Sequence, residues 1–358
     1  MKLRALTGRA VWFVWWRLYL GMSMPALADR LARRWGWAAR RIRLALPVRP
    51  PYRRRELHLF RTAGLGDVLL CTPAVRELKR CNPTCHVTFY TDFPTLITGL
   101  PFIDQVRPAD EAGGKALRLF YEESLPPRRH LAQLIGDHLG LNVQDVRPSC
   151  MLDSVEFARF QEAWKDRPRP WIIVNRHASA WTPNKEWPEE HWEALIDRLL
   201  SWASVIEIGQ VPHPNPGRDP ERYLSLIGRT SLNQLVASIA AADLHVGPIS
   251  GPTHIAAAFQ VPTVVIYGGY EHPVGTSYEK NINLYSAVPC APCWLQDQCP
   301  YGKKCLYQIT PADVEDALKK LWDKTLLDDV SGGAGRLGVS PRTPASQRGD
   351  RDRYTVRR

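Results

Sequence analysis

The sequence lacks any apolar run long enough to cross a bilayer as a helix. The longest candidate, residues 11–20, is interrupted by Arg17, whereas a spanning helix needs about 18 or more consecutive apolar residues. Cysteine is also scarce, because eight in 358 residues are too few for a disulfide-stapled mini-fold. Hydrophobic residues make up 44% of the chain, which is enough to bury the cores of two globular domains.

The middle of the chain lacks positive charge. Residues 1–55 carry fourteen Lys or Arg against one acid, which gives +13, and residues 331–358 carry seven Arg against two acids, which gives +5. Subtracting both ends from the total of +11 leaves −7 for residues 56–330. An acidic middle argues against a core that wraps nucleic acid, so no nucleic-acid partner is expected.

Residues 1–55 mix Arg with Trp, and three interpretations of them stay open. Trp12, Trp15 and Trp16 among basic residues suit a membrane interface, where indole lies at headgroup level and guanidinium meets anionic lipid. An unstructured basic extension is a second interpretation. A cleaved signal is the third, because residues 26–28 (Ala-Leu-Ala) imitate a signal-peptidase site. The favoured first interpretation predicts a cytoplasmic protein that lies peripherally on the anionic inner face of the membrane.

From residue 56 onward, short apolar runs alternate with helical periods, as in parallel α/β sheets. Ser231 is a plausible helix N-cap, and Thr310-Pro311 is expected to start a last helix that ends near Trp322. Pro168 and Pro170 mark a domain boundary. The fold class is therefore predicted as α/β, with Rossmann-like domains at 56–167 and 168–330 facing across a cleft, a linker-bearing extension at 1–55 and a disordered basic tail at 331–358. The predicted strands are Leu57–Phe60, Val87–Tyr90, Trp171–Val174, Val205–Ile208, Leu244–Val246 and Thr263–Tyr267.

The first candidate site is the turn Gly64-Leu65-Gly66-Asp67. A dinucleotide fingerprint would need a third glycine where the chain has Leu69, so that fingerprint fails. What remains is a tight turn that carries the Asp67 carboxylate into the cleft at the head of a helix, where it could act as a general base towards a hydroxyl. The alternative is that Asp67 only caps the helix.

Two further segments have the character of phosphate sites. Ser250-Gly251-Pro252 follows a predicted strand and opens a small-residue helix, whose first N–H groups would form an anion site. His254, one turn later, could donate to a phosphate or bond to a core carbonyl. Lys185 lies in a loop before a helix, where it could reach a diphosphate or remain solvated.

At these residues the sequence resembles the bacterial heptosyltransferases of glycosyltransferase family nine. Three motifs carry the resemblance: Gly-Asp followed by Thr72-Pro73-Ala74, Lys185-x-Trp187-Pro188, and Ser250-Gly251-x-x-His254. The resemblance implies a GT-B architecture and an inverting sugar transfer, with no cofactor for catalysis, from an ADP-heptose-type nucleotide sugar to a lipopolysaccharide or other cell-envelope glycan.

The resemblance also implies roles for residues. It makes Asp67 the base, and it places the donor diphosphate against Ser179, Lys185, Ser250, Gly251 and Pro252, with His254 nearby. The alternative to an enzyme is a catalytically silent sugar-nucleotide or glycolipid binding protein of the same fold.

Two departures bear on the donor. The family usually has an acid where this chain has Ile249, and a hydroxyl is common where it has Ala180. If Ile249 faces the donor sugar, a less hydroxylated sugar should be preferred to heptose.

The remaining constellation is a group of four cysteines within sixteen residues. They could hold a structural zinc ion, form two disulfides or remain free thiols, since the spacing of the second pair is wider than is usual for zinc. The four are Cys290, Cys293, Cys299 and Cys305.

Overall fold

The structure is a computed structural model that describes residues 51–114, 116–178, 181–211 and 217–330. The predictions for residues 1–50 and for the tail at 331–358 lie outside the described residues. Within the described ranges, no helix combines the length and the apolar character that a membrane crossing requires.

The N-terminal half contains a four-stranded parallel sheet with the strand order β3-β2-β1-β4. Its core is built from strand residues such as Leu59 and Phe89 and from Leu69 and Leu78 of the first helix, all fully buried. Strand β2 is buried from Val87 to Thr91, whereas β1 alternates between buried and less buried residues and the edge strand β3 is largely exposed. The elements are β1 (Glu56–Phe60), α1 (Leu65–Cys81), β2 (His86–Thr91), β3 (Gln105–Pro108), β4 (Leu117–Arg118), α2 (Leu131–Leu139) and α3 (Ser154–Trp164).

The C-terminal half contains a six-stranded parallel sheet with the order β10-β9-β8-β5-β6-β7. Strands β5, β6, β8 and β9 are buried along their whole length, whereas the edge strand β10 is only half-buried. The two halves therefore form the predicted pair of Rossmann-like parallel sheets. The elements are β5 (Trp171–Asn175), α4 (Glu189–Leu199), β6 (Ser204–Ile208), β7 (Tyr223–Ser225), α5 (Leu232–Ala241), β8 (Leu244–Pro248), α6 (Gly251–Ala258), β9 (Thr263–Gly268), β10 (Asn281–Tyr285), α7 (Lys304–Tyr307) and α8 (Pro311–Val330).

All six strands predicted from the sequence are confirmed, each lengthened by one or two residues. Ser231 caps α5, where its hydroxyl accepts from the Gln234 N–H at 3.2 Å. The last helix begins at Pro311 as expected but continues past Trp322 to Val330. Leu321 and Thr325, one turn apart, stay buried, so the packed face of the helix does not end at the tryptophan.

Helix α3 bears on the predicted domain boundary. The sequence assigns it to the N-terminal domain, yet it packs on α5 of the C-terminal half. Asp153 caps α3 through the N–H groups of Val155 and Glu156 and also accepts from Asn233 Nδ2 at 3.1 Å. The boundary at Pro168 and Pro170 stays a prediction, and α3 crosses to the other half before the chain reaches it.

Candidate active site

Asp67 is the third residue of α1, at the carboxyl end of β1. Its Oδ2 accepts from the Gly64 N–H at 2.9 Å, which closes the first turn of the helix. This is the contact of an N3 acid with the N-cap backbone, as in a capping box, and not that of an N-cap residue. It occupies only one of the two carboxylate oxygens.

The other oxygen, Asp67 Oδ1, is held by two side chains. Arg61 Nη2 donates to it at 2.8 Å and the Tyr121 hydroxyl donates to it at 2.5 Å. Arg61 also donates to Glu122 Oε1 at 2.7 Å. Tyr121 and Glu122 follow β4, the neighbour of β1, so the carboxyl ends of two parallel strands bring these groups together. Helix capping does not require this second set of contacts.

Electrostatics fixes the protonation of the groups around Asp67. Burial opposes the charge on Arg61, but its hydrogen bonds to Glu122 and the charge of Asp67 outweigh burial and raise the Arg61 pKa. Burial would raise the pKa of Glu122, but Arg61 lowers it overall. Burial and the nearby Asp67 charge raise the pKa of Tyr121 well above 10. Tyr121 therefore stays a protonated hydrogen-bond donor, and Arg61 stays a cation.

Helix α6 starts just after the carboxyl end of β8, an inner strand of the second sheet. The Ser250 hydroxyl donates to Asn175 Oδ1 at 2.9 Å, which ties the turn to the end of β5. Pro252 has no N–H, and the N–H of Thr253 is bonded to the Ser250 carbonyl at 3.1 Å. The N–H of Gly251 is therefore the backbone donor that this turn offers to an anion.

The N-termini of α1 and α6 pack directly against each other. A side chain at Gly66 would meet the His254 ring at 2.6 Å, and one at Gly251 would meet Leu65 at 2.1 Å. Both glycines are required by this close approach. The packing brings the Asp67 turn of the first sheet next to the Ser250 turn of the second. That the two turns form one donor and acceptor site stays a prediction.

His254 is buried between these two turns. Its Nδ1 forms a hydrogen bond with the Tyr278 hydroxyl at 2.6 Å, so a tyrosine takes the place of the expected core carbonyl. Burial lowers the pKa of His254 to about 3, and the neighbouring charges of His130, Asp67 and Lys185 act on the same ring. A neutral imidazole lies at this position, and a contact with phosphate stays a prediction.

Lys185 is not solvated. Its ammonium lies 2.6 Å from Glu271 Oε1 and 5.2 Å from the centre of the Tyr270 ring. Glu271 is only 4% exposed. Lys185 lies in the loop after β5 and Glu271 follows β9, the two strands that flank β8. The Lys185 charge acts on His254 of α6, so the ion pair lies near the start of that helix.

Ile249 does not present its side chain to the cleft. It is 4% exposed and belongs to a small apolar cluster with Val265 and Tyr267. This packing argues against the expected contact between Ile249 and the donor sugar. Ser179 and Ala180 lie outside the described residues.

The cysteine group shows no metal geometry. All eight cysteines are free thiols, so the alternative of two disulfides is not seen. In the part of the chain that the structure describes, no three His, Cys, Asp or Glu residues are arranged to hold a metal ion. Burial raises the pKa of Cys305, and the neighbouring thiols Cys293 and Cys299 act in the same direction. The structural zinc ion is not confirmed and stays a prediction.

Several residues of the site are not found by the motifs. Arg61, Tyr121 and Glu122 surround Asp67, and Glu271 holds Lys185. All of them follow the carboxyl ends of parallel strands, and that position is the signal that could have pointed to them. Strand β4 has only two residues and leaves little trace in the sequence.

Comparison with known proteins gives the same family. Residues 128–304 match the model of glycosyltransferase family 9 (heptosyltransferase). The predicted resemblance to this family is confirmed. The matched range contains Lys185, Ser250 and His254 but not Asp67, whose assignment therefore depends on the geometry described above.

A curated relative is also a heptosyltransferase. The lipopolysaccharide heptosyltransferase 1 of Pseudomonas aeruginosa is 29% identical over 174 residues, which cover 46% of this chain and 44% of that protein. The chain thus matches somewhat less than half the length of this relative.

Solved structures of similar proteins define the fold. The ADP-heptose lps heptosyltransferase II of Escherichia coli matches with a TM-score of 0.58 and 16% identity, over 76% of this chain and 99% of that one. The dodecameric iron-containing heptosyltransferase TibC of enterotoxigenic Escherichia coli, in complex with ADP-D-beta-D-heptose, matches with a TM-score of 0.57 and 19% identity, over 75% of this chain and 76% of that one. Likeness at this level of identity shows the fold alone, and the predicted GT-B architecture is confirmed.

Proposed function

We propose that this chain is a glycosyltransferase that moves heptose or a related sugar from a nucleotide-diphosphate donor to a lipopolysaccharide or other cell-envelope glycan. The observation that carries the proposal is the packing of α1 on α6, which brings the turn of Asp67 next to the turn of Ser250. A base and an anion site at facing strand ends are what transfer from a nucleotide sugar requires. Family 9 membership of the matched region, and the ADP-heptose named for TibC, support the choice of sugar.

Asp67 is proposed to take the proton from the acceptor hydroxyl as that oxygen attacks the anomeric carbon. Arg61 and Tyr121 hold Oδ1 of the carboxylate, and Gly64 holds Oδ2, so its orientation is set from three directions. Attack from the face opposite to the leaving diphosphate would invert the configuration at that carbon.

The leaving diphosphate is proposed to be stabilised without a catalytic metal ion. Lys185 supplies a cation, and the Gly251 N–H supplies a hydrogen-bond donor at the start of α6. The Ser250 hydroxyl would supply another by turning away from Asn175 Oδ1, to which it donates in this structure. Preorganised donors of this kind stabilise developing negative charge because they need no reorganisation during the reaction. Ser179, for which the structure gives no position, is proposed as a further donor-side residue from the family resemblance.

The acceptor side is proposed to lie at a membrane surface. Residues 1–55 would hold the enzyme on anionic lipid at the inner face of the cytoplasmic membrane, because of their +13 charge and their tryptophans. Flotation with anionic vesicles tests this part: the full chain should float, whereas a chain that starts at Arg55 should not. Equal flotation of both would contradict it.

The proposed activity is tested with the native chain and with Asp67→Asn. The native chain should be stabilised thermally by ADP and by an ADP-sugar, and it should transfer the sugar to a lipopolysaccharide-core acceptor. An asparagine that accepts from the Gly64 N–H turns its own N–H groups towards Arg61 and Tyr121, so the variant should melt at a lower temperature. ADP should still stabilise it, while turnover falls by about 10² or more. Turnover within a few-fold of native would reduce Asp67 to a helix cap.

Metal independence has its own measurement. Transfer should persist after treatment with a chelator. A loss that is restored by adding a divalent cation would contradict this part of the proposal and leave the base assignment intact.

A further inference from the structure

Glu271 is a buried carboxylate to which neither the motifs nor the proposed chemistry assigns a role. It follows β9 through Gly268, whose φ of +58° turns the chain at the end of the strand. The Glu271 side chain is only 5% exposed. Among the described residues, Lys185 is the single side chain with which it forms an ion pair or hydrogen bond.

The pair with Lys185 cannot remain unchanged when a donor binds as proposed. A diphosphate at the start of α6 would compete with Glu271 for the same ammonium, because the Lys185 charge already acts on His254 in the first turn of that helix. A buried carboxylate that loses its cation needs other hydrogen-bond donors, since an unpaired buried charge is unfavourable. The sugar attached to the diphosphate carries such donors as hydroxyl groups.

Two aromatic side chains, Tyr270 and Trp181, lie near the Lys185–Glu271 ion pair. The Trp181 indole donates to the Tyr270 hydroxyl at 2.8 Å, and the Tyr270 ring lies under the Lys185 ammonium. Trp181 is 55% exposed although its polar edge is fixed. An exposed indole that is bonded to Tyr270, the residue before Glu271, can cover the apolar face of a sugar whose hydroxyls are held by the carboxylate.

We infer that Glu271 is the residue that accepts hydrogen bonds from the donor-sugar hydroxyls, and that it does so when the donor diphosphate draws Lys185 away from it. This inference rests on the proposed function and adds a specificity-determining residue to it. Glu271 thereby supplies, from the end of β9, the carboxylate that is absent at Ile249 at the end of β8. The sugar subsite lies between Glu271 and Trp181.

If Glu271 binds the donor sugar and not the nucleotide, its replacement should weaken the binding of ADP-heptose but not the binding of ADP. Dissociation constants of ADP and of ADP-heptose are measured by calorimetry for the native chain, for Glu271→Gln and for the control Glu221→Gln, which removes an exposed carboxylate of the same half. Glu271→Gln should bind ADP as tightly as native or more tightly, because Lys185 has lost its competing partner. Its affinity for ADP-heptose should fall about tenfold or more, whereas the control should match native for both ligands.

The outcomes distinguish the inference from the proposed function. Equal weakening of both ligands by Glu271→Gln would make the residue structural or a ribose contact and overturn the inference, as would an unchanged ratio of the two constants. A native chain that gains no affinity from the heptose would also overturn it. A native chain that binds neither ligand would overturn the proposed function itself. Thermal melting of each variant with and without ADP confirms that the binding site is folded.

Discussion

The Tyr121 hydroxyl donates to Asp67 Oδ1 across 2.5 Å and thereby ties the loop after β4 to the acidic turn after β1. Arg61 Nη2 reaches the same oxygen, so one carboxylate atom receives two donors from two different strand ends. A carboxylate fixed in this way has few orientations available. Its geometry is set before any acceptor hydroxyl arrives, which is how positioned groups lower a reaction barrier.

Tyr121→Phe tests whether this contact positions the base. The ring keeps its place over the Arg61 guanidinium, 4.9 Å from its centre, so only the hydroxyl is removed. Turnover should fall by about tenfold while the KM of the donor stays within a factor of about two, because Tyr121 touches Asp67 and not the diphosphate site. Steady-state kinetics with both substrates gives the two values.

The matched control is Tyr52→Phe, which removes a hydroxyl near the exposed Arg53. It should leave both constants unchanged. A Tyr121→Phe enzyme with native turnover would show that Arg61 and Gly64 alone orient Asp67.

Lys185→Ala tests the anion site. Removing the ammonium should weaken ADP binding by about tenfold or more and slow transfer as well, because one cation would stabilise the diphosphate both in the bound donor and as it leaves. Lys185→Arg keeps the charge but not its compact shape, and it should recover part of the affinity. The control Lys165→Ala changes an exposed lysine that pairs only with Glu162. Native ADP affinity in Lys185→Ala would move this residue out of the donor site.

The sequence predicts the parts of this site that lie in local motifs, but not the partners that other strands supply. Gly66 is forced by its contact with the His254 ring and Gly251 by its contact with the Leu65 side chain, so these glycines recur in local motifs that the sequence shows. Tyr121 and Glu271, the partners of Asp67 and Lys185, follow other strands of the same sheets. Their positions depend on strand order, which one sequence does not give. Ile249 shows the same limit, since its place in the motif is local but the cluster that buries it comes from β9.

Ile249→Asp distinguishes packing from donor contact. With Ile249 buried against Val265 and Tyr267, the new carboxylate would lack partners, and we expect a loss of stability of about 3 kcal/mol or more. Ile249→Val, the control, should cost only about 0.5–1.5 kcal/mol. Denaturant unfolding measures both. An Ile249→Asp chain of native stability that prefers a more hydroxylated donor would restore the original expectation of a direct sugar contact.

Metal analysis of the purified chain tests the cysteine group. A structural zinc site predicts close to one zinc ion per chain, lost in a variant in which Cys293 and Cys305 are replaced by Ser, while Cys81→Ser, an exposed thiol elsewhere, should keep the metal. Metal far below one ion per chain, with four reactive thiols, would establish these residues as free cysteines.

His245 gives a prediction for stability rather than activity. This histidine lies in β8 with 0% exposure, and neither of its ring nitrogens has a hydrogen-bond partner among the described residues. Burial lowers its pKa from 6.5 to about 3. Because the folded-state pKa is the lower one, the unfolded chain binds the proton first as the pH falls. The stability associated with neutral His245 is therefore complete above about pH 6.5 and is lost progressively towards about pH 3.

Replacing His245 by Leu should remove this dependence. At pH 5 the buried histidine costs the native chain about 2 kcal/mol relative to pH 8, from 1.36 kcal/mol per pKa unit. Leu fills a similar volume and leaves no unpaired polar atom, so His245→Leu should be at least as stable as native at pH 8 and should lose about 2 kcal/mol less on acidification. The control His86→Leu changes an exposed histidine, and its pH dependence should follow that of the native chain. Urea unfolding of the three proteins at pH 5 and pH 8 measures the difference. If the native chain and His245→Leu lose the same free energy of unfolding between pH 8 and pH 5, His245 must take up its proton in the folded chain as readily as in the unfolded one.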